Sequence, residues 1–276
     1  MPKSSPPQKV AVAPPVHIAR GSTVHHLGRR AAVACAALLL AGAAAAAEIK
    51  VLTAGAFKPV LLAMLPAFEA RTGHKVKVDN DTAGALVRRI QQGEDFDLAV
   101  LPPAQLEKLG SEGAVSEGSI TALAKVLIGV AVKQGAPLPD ITTTAAFKQA
   151  LLAARAVAFI DPAAGGSSGI YLSGLFQKMG IAAQIDAKAV KVPGGLVAQR
   201  LLNGQADLAI HQISEILAVP GAVLVGPLPA EIQNPTVYAG ALSTSANDTN
   251  AALALLITLA SEETQALLKA RGMAAP

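Results

Sequence analysis

Short apolar runs alternate with helical patterns along most of this chain, and the runs end in loops of small residues. Ile49-Lys50-Val51-Leu52 reads as a strand, Thr53-Ala54-Gly55-Ala56 as a loop, and Pro59 to Arg71 as a helix. Pro59 suits a first helical turn, and Pro66 predicts a kink. Lys75 to Val78 alternates as a strand; Asp81 or Thr82 caps a helix over Ala85 to Gln92 that closes at Gly93. Asp97 to Leu101 is a buried strand stopped by Pro102-Pro103. The pattern resumes with a strand over Ile128 to Val132, a helix over Thr144 to Ala154 and a strand over Ala156 to Ile160. A loop and a helix over Ile170 to Met179 follow, then a strand over Ala189 to Val192 and a helix over Leu196 to Asn203. Asp207 to Ile210 and Val237 to Leu242 are strands, and Asn247 to Arg271 is helical in two pieces. This alternation predicts an α/β chain with parallel-rich sheets flanked by helices. Ligands in such sheets sit beyond the carboxyl ends of the strands. The small-residue loops form two groups there, 53–57 with 81–84 and 165–169 with 193–195, which two facing lobes would bring together across a cleft.

The richest loop is Asp161-Pro162-Ala163-Ala164-Gly165-Gly166-Ser167-Ser168-Gly169-Ile170-Tyr171. It leaves backbone N–H groups and hydroxyls uncovered at the positive end of a helix, which suits an anion. Five small residues in a row exceed what a helix cap needs, so Ser167, Ser168 and Gly169 are candidate ligand contacts, with Tyr171 poised to close over them. Gly165 to Gly169 also matches G-x-S-x-G, but a nucleophile elbow needs its serine directly after the strand. Here Asp161 to Gly166 intervene, and the match reads as compositional.

Residues 1–47 stand apart. Ala31 to Ala45 are apolar, and Ala45-Ala46-Ala47 fits a cleavage site before Glu48, the pattern of a secretory signal peptide. Arg29-Arg30 is compatible with twin-arginine export. Five of the 23 Lys and Arg lie in this segment and none of the 19 Asp and Glu, which leaves 18 against 19 and a net charge of −1 for the remainder. That balance excludes a nucleic-acid partner or an anionic membrane surface as the expectation. The single cysteine, Cys35, leaves with the leader, so no disulfide or thiol chemistry is expected. The remaining chain holds no run long enough for a membrane anchor, and its expected location is the periplasm.

Several pieces carry a family likeness in this order: Ile49 to Ala56, Ala85 to Ile90 with Phe96 to Val100, Asp161-Pro162 to Tyr171, Gly204 to Ile210, and Gly272-Met273. Together they resemble the periplasmic molybdate-binding-like proteins, the solute-binding components of ABC transporters. The resemblance implies the type II binding-protein fold, with two lobes joined by crossing strands near 125–132 and 236–242. It implies a first lobe of 48–127 and 238–276, a second lobe of 128–237, and a ligand cleft between them. It also implies an ABC permease as partner; apart from the resemblance, the chain is expected to be a monomer. Molybdate binders of this kind are expected to present serine hydroxyls where this chain has Ala56 and Ala83-Gly84, and a tyrosine where it has Gln212. A tetrahedral oxyanion that loses three donors is left with unpaired acceptors. The expected ligand is therefore a small organic acid rather than molybdate. The related group includes an aconitate isomerase.

The expected contacts are Ala54, Gly55, Ala56, Thr82, Ala83, Gly84, Ser167, Ser168, Gly169, Tyr171, Gly194, Gly195, His211 and Gln212. His211 ends a strand that points at the cleft and is followed by Gln212, Ser214 and Glu215; it reads as a ligand contact, a proton shuttle or a satisfied interface residue. Arg88, Arg89 and Arg200 are candidate carboxylate clamps. With two histidines (His74 and His211) outside the leader and no cysteine, zinc is not expected. Asp79-Asn80-Asp81 begins like a calcium loop, but its twelfth position is Ile90. No cofactor is expected. The absence of Trp, with only six Phe and two Tyr, disfavours a sugar, which stacks on aromatic rings. The residues thus favour a receptor for a small carboxylate or oxyanion. The alternative is an isomerase that interconverts cis- and trans-aconitate by proton transfer, with His211 as first candidate base and Asp81 as second.

Overall fold

The computed structural model describes residues 46–276, together with 5, 9 and 11–13. The leader reading, with Ala31 to Ala45, Arg29-Arg30 and Cys35, lies outside the described residues. From residue 46 onward the strands form two sheets. The first has six strands in the order β11-β4-β10-β3-β1-β2: β1 (Glu48–Ala54), β2 (Lys75–Asp81), β3 (Leu98–Leu101), β4 (Thr121–Val126), β10 (Thr236–Leu242) and β11 (Met273–Ala274). The second has five in the order β7-β6-β8-β5-β9: β5 (Ile128–Lys133), β6 (Val157–Ile160), β7 (Ala189–Val192), β8 (Leu208–Gln212) and β9 (Ala222–Pro227).

Each sheet has a parallel half, β2-β1-β3 in the first and β7-β6-β8 in the second. The other half of each is antiparallel: β10 runs against both β3 and β4, and β11 against β4, in the first sheet, while β5 runs against both β8 and β9 in the second. Both sheets are therefore mixed. The chain crosses between them at Leu127, where β4 gives way to β5, and returns through 228–235 with a single 3₁₀ turn over Ala230–Ile232. The return is a loop rather than a shared strand, since β10 pairs only within the first sheet. Gln233 ties the two crossings: its Oε1 accepts from Ile128 N–H at 3.0 Å and its Nε2 donates to Ile128 O at 2.9 Å.

The helices follow from caps and prolines. Helix α1 (Lys58–Thr72) begins with a proline in its first turn and runs through Pro66 without interruption. Pro66 lies on the exposed face, where the carbonyl deprived of its partner meets water. Thr82 caps α2 (Ala83–Gln91), its Oγ1 accepting from Ala85 N–H at 3.2 Å. Pro103 opens α3 (Pro103–Ser111), a helix the Pro-Pro pair hides when read only as a stop. In the second lobe come α4 (Thr144–Ala153), α5 (Ser167–Lys178), α6 (Ala182–Asp186), the single turn α7 (Gln199–Leu202) and α8 (Ile213–Leu217). Helices α9 (Thr249–Leu259) and α10 (Glu262–Ala270) return to the first sheet.

Phe57, Phe68, Leu61, Leu86 and Leu98 pack the core of the first sheet. Phe147, Phe159 and Phe176 pack one face of the second sheet, and Val197, Leu201 and Ile216 pack the other. Each such side chain contributes about 1.5–3 kcal/mol through burial.

The Asp-Leu-Ala triplet occurs once per lobe and does the same structural work in each. Buried Asp97 accepts from Lys50 N–H through Oδ2 and from Asn247 N–H through Oδ1, both at 2.7 Å. Asp207 accepts from Arg155 N–H through Oδ2 at 2.7 Å and pairs with the Arg155 guanidinium at 3.0 Å. Each aspartate thus secures the start of the neighbouring strand or segment. Asp97→Ala would leave two backbone donors without their acceptor and is expected to cost about 2–3 kcal/mol in denaturant unfolding.

Candidate functional site

The carboxyl ends of β1, β2, β6 and β8 converge on one cavity between the sheets. It is lined by Ala54, Gly55, Ala56, Asn80, Asp81, Thr82, Ala83, Ile160, Gly166, Ser167, Ser168, Gly195, His211, Gln212, Glu215 and Tyr238. The two groups of small-residue loops therefore do meet. Of the expected contacts, Ala54, Gly55, Ala56, Thr82, Ala83, Ser167, Ser168, Gly195, His211 and Gln212 stand on its wall.

Four expected contacts do not. Gly84 donates its N–H to Gly165 O at 3.0 Å across the cleft and serves closure. Gly169 is packed under the β6 end, where a Cβ would come within 2.3 Å of Ile160 O. Gly194 sits behind Asp81. Tyr171 turns away from the cavity, its hydroxyl donating to Ile232 O at 2.8 Å. The candidate arginines are also elsewhere. Arg89 is held by Glu94 and Asp79, Arg200 donates to Gln205 at 3.2 Å, and Arg88 is exposed. His74 is likewise outside the wall, accepting from Ala47 N–H at 3.1 Å through Nδ1.

Helix α5 starts three residues earlier than its apolar pattern predicts, with Gly166 as its N-cap. Ser167 and Ser168 consequently occupy its first turn, where their N–H groups have no carbonyl one turn back. Thr82 closes the opposite side, its hydroxyl donating to Ala164 O at 2.5 Å. Gly84 and Gly165 meet backbone to backbone; a Cβ on either would lie 2.8 Å from the other's Cα. Gly84→Ala should leave its own lobe intact, because alanine suits a helical position better than glycine. The added methyl would prop the lobes apart, with ligand affinity expected to fall about tenfold at an unchanged thermal midpoint of the free protein.

His211 and Glu215 form the polar centre. Their Nε2 and Oε2 atoms are 3.2 Å apart, and the residues are 3% and 7% exposed. Burial pushes the His211 imidazolium down to about 3 and the Glu215 carboxyl up to about 8. Although the spacing would suit an ion pair, desolvation favours the uncharged forms of both near neutral pH. Glu215 Oε1 rests against Gly55, where a Cβ would come within 2.5 Å. Tyr238, buried at the base, has its phenol held well above the usual tyrosine range, first by burial and then by the Glu215 charge, with Ser167 opposing. Asp81 accepts from Thr82 N–H at 2.7 Å and lies 3.8 Å from Arg89, so its carboxylate is tethered at the cavity's edge.

Two buried side-chain atoms on this wall have no hydrogen-bond partner: His211 Nδ1 and Gln212 Oε1. Gln212 Nε2 donates to Thr236 Oγ1 at 2.9 Å. Turning the amide over would let Thr236 donate instead and present Nε2 to the cavity. Buried polar atoms in native proteins are nearly always paired, so two orphans on one cavity point to a polar guest. Among the described residues no cluster of three metal-ligating side chains occurs. The G-x-S-x-G match carries no nucleophile–base–acid array, because Asp207 is committed to Arg155 and His211 Nε2 faces Glu215 at 3.2 Å.

Glu215 and Tyr238 are the functional candidates that sequence reasoning misses. The signal for Glu215 is a lone acid inside Ile213-Ser214-Glu215-Ile216-Leu217; Tyr238 is the one aromatic in the apolar run of β10.

A sequence family described as bacterial extracellular solute-binding protein matches residues 49–274. The aconitate isomerase of a Pseudomonas species is 35% identical over 252 residues, covering 87% of this chain and 95% of that protein. The molybdate-binding protein ModA of Azotobacter vinelandii is 29% identical over 259 residues, covering 88% and 96%. The solved periplasmic molybdate-binding protein of Azotobacter vinelandii superposes with a TM-score of 0.70 at 21% identity, covering 83% of this chain and all of that one, a likeness of fold. With its two sheets, interlobe cavity and near full-length match, the chain belongs to the bacterial extracellular solute-binding protein family.

Proposed function

We propose that this protein is an isomerase of an unsaturated polycarboxylic acid of the aconitate class, acting in the periplasm between the closed lobes. The observation that carries the reading is the buried His211–Glu215 pair at 3.2 Å with Nδ1 left unpartnered on the cavity wall. A receptor has no need of a buried histidine and carboxyl whose titrations are driven in opposite directions, whereas proton transfer to carbon does. The likeness to an aconitate isomerase over almost its whole length supports the same reading.

The chemistry is a 1,3-proton shift. With the ring proton on Nε2, which lies 3.2 Å from Glu215 Oε2, the Nδ1 lone pair takes a proton from the substrate methylene carbon. That C–H electron pair becomes a new double bond to the central carbon, and the old double bond's electrons move onto its far carbon and the attached carboxylate. Nδ1 then returns its proton to the far carbon, so no atom or electron is gained or lost. A polyanionic substrate beside the imidazole favours its protonated form, offsetting the desolvation that holds its affinity for protons down. Ser167, Ser168 and Tyr238 line the same cavity, and in this reading the two serine amides and the Tyr238 hydroxyl hydrogen-bond the carboxylate on which charge collects.

Family membership favours a second reading: capture of the same acids for an ABC importer. A thermal-shift screen of oxyanions, mono-, di- and tricarboxylates, with each hit followed by NMR, separates the two. Stabilisation by aconitate with conversion supports the isomerase, and stabilisation without conversion supports the receptor. Shifts with sugars or neutral peptides alone would sink both.

A further inference from the structure

The inner cavity has room for only about 30 Å³ of water-sized spheres, enough for a few waters or a compact carboxylate group but not for a whole tricarboxylic acid. A second chamber of about 680 Å³ lies directly outside it. The two share one wall, made by Gly55, Asn80, Gly195 and Glu215. Two cations line the outer chamber, Lys58 from the start of α1 and Arg271 just beyond α10. Neither forms an ion pair among the described residues; Lys58 Nζ donates to the neutral Asn80 Oδ1 at 2.6 Å. Asn80 belongs to the shared wall, so this bond holds an ammonium group at the passage between the compartments. Among the described residues Glu215 is the one acid lining the chamber.

We propose that the outer chamber is a second carboxylate subsite, in which Lys58 and Arg271 hold the distal carboxylate of an acid whose first carboxylate sits in the inner cavity. The inference rests on the acid-binding reading above and narrows it: the ligand must carry two or more carboxylates far enough apart to reach across the Gly55–Gly195 wall. Lys58 supplies a compact charge already anchored at the passage, and Arg271 a planar fork suited to a bidentate carboxylate. Single carboxylates would engage one compartment and forgo the other.

The test is calorimetric titration of the purified protein with tricarballylate, a saturated tricarboxylate, and with butyrate as a one-carboxylate probe. Lys58→Met combined with Arg271→Met is expected to weaken tricarballylate binding about tenfold or more and to flatten its salt dependence. Butyrate binding should be weak or undetectable in the wild type and no weaker in the double variant. Lys58→Arg should keep most of the tricarballylate affinity, and an unchanged thermal midpoint would show that the double variant is folded. If tricarballylate binds the double variant as it binds the wild type, or if butyrate binds the wild type as tightly as tricarballylate, the subsite is wrong while the functional reading stands. If the wild type binds no carboxylate at all, both fall together.

Discussion

His211→Gln is expected to slow conversion of cis- to trans-aconitate by about a thousandfold while the variant still binds tricarballylate, because a positioned base contributes roughly 10²–10⁴ to such a step. Glutamine is the informative replacement. It fills much of the imidazole volume and still offers an amide to Glu215, so the cavity wall is not emptied. It lacks the one feature the reaction needs, a basic nitrogen lone pair that can accept a proton and return it. Alanine would instead remove the partner of a carboxyl that is only 7% exposed and confound chemistry with packing. Rates followed by proton NMR and affinities by calorimetry separate the outcomes. Turnover lost with affinity retained assigns His211 to proton transfer; both lost in equal measure would assign it a binding role.

Glu215→Gln is expected to do the reverse to stability. A carboxyl whose folded value is raised from 4.5 to about 8 stabilises the fold fully below the unfolded value and loses that contribution as pH rises through the folded one. Between those limits the unfolded chain gives up the proton while the folded chain must keep it. The variant should therefore match the wild type near pH 4, exceed it by about 3 kcal/mol at pH 7, and level off beyond pH 8. His211 works in the opposite sense. Its folded value is lowered, so its contribution is present above 6.5 and lost as pH falls towards about 3, in both chains alike. Turnover should fall in the same variant, since an amide cannot ionise beside the imidazolium that forms during turnover as a carboxyl can. A gain in stability with a loss of activity is the trade expected at a working site. Urea unfolding at pH 4, 6 and 8 checks it. A wild type more stable than the variant at every pH would mean that Glu215 is a satisfied structural acid.

Much of the fold is legible because apolar strands and capped helices leave separate marks. Val51 and Leu98 lie in strands β1 and β3 as their apolar runs suggest, and of the two cap candidates, Asp81 and Thr82, it is Thr82 that caps α2. Strand direction leaves no such mark: Thr236 to Leu242 has the same apolar character whether it runs with β3 or, as it does, against it. Helix α3 escapes notice because Pro102-Pro103 reads as an ending, although Pro103 opens a helix. Strand β4 and the short α8 lack the caps and glycine stops that mark the others. In the site, the glycine- and serine-rich turns are visible since only small residues let two backbones approach as Gly84 and Gly165 do. Glu215 and Tyr238 are hidden for the opposite reason. Their roles come from burial beside groups distant in sequence, Gly55 and Ser167 among them. Tyr171, which adjoins the richest loop, faces the second-lobe core because the helical rotation carries it away from the cleft.

The most direct test places cis-aconitate and, separately, trans-aconitate with the wild-type protein and follows both by proton NMR. Catalysis by the buried imidazole predicts that the two samples drift to one common ratio of isomers, at a rate proportional to protein concentration. Two spectra that stay as they began, in samples where calorimetry shows the acids bound, would mean that the cleft captures its guest and leaves it unchanged.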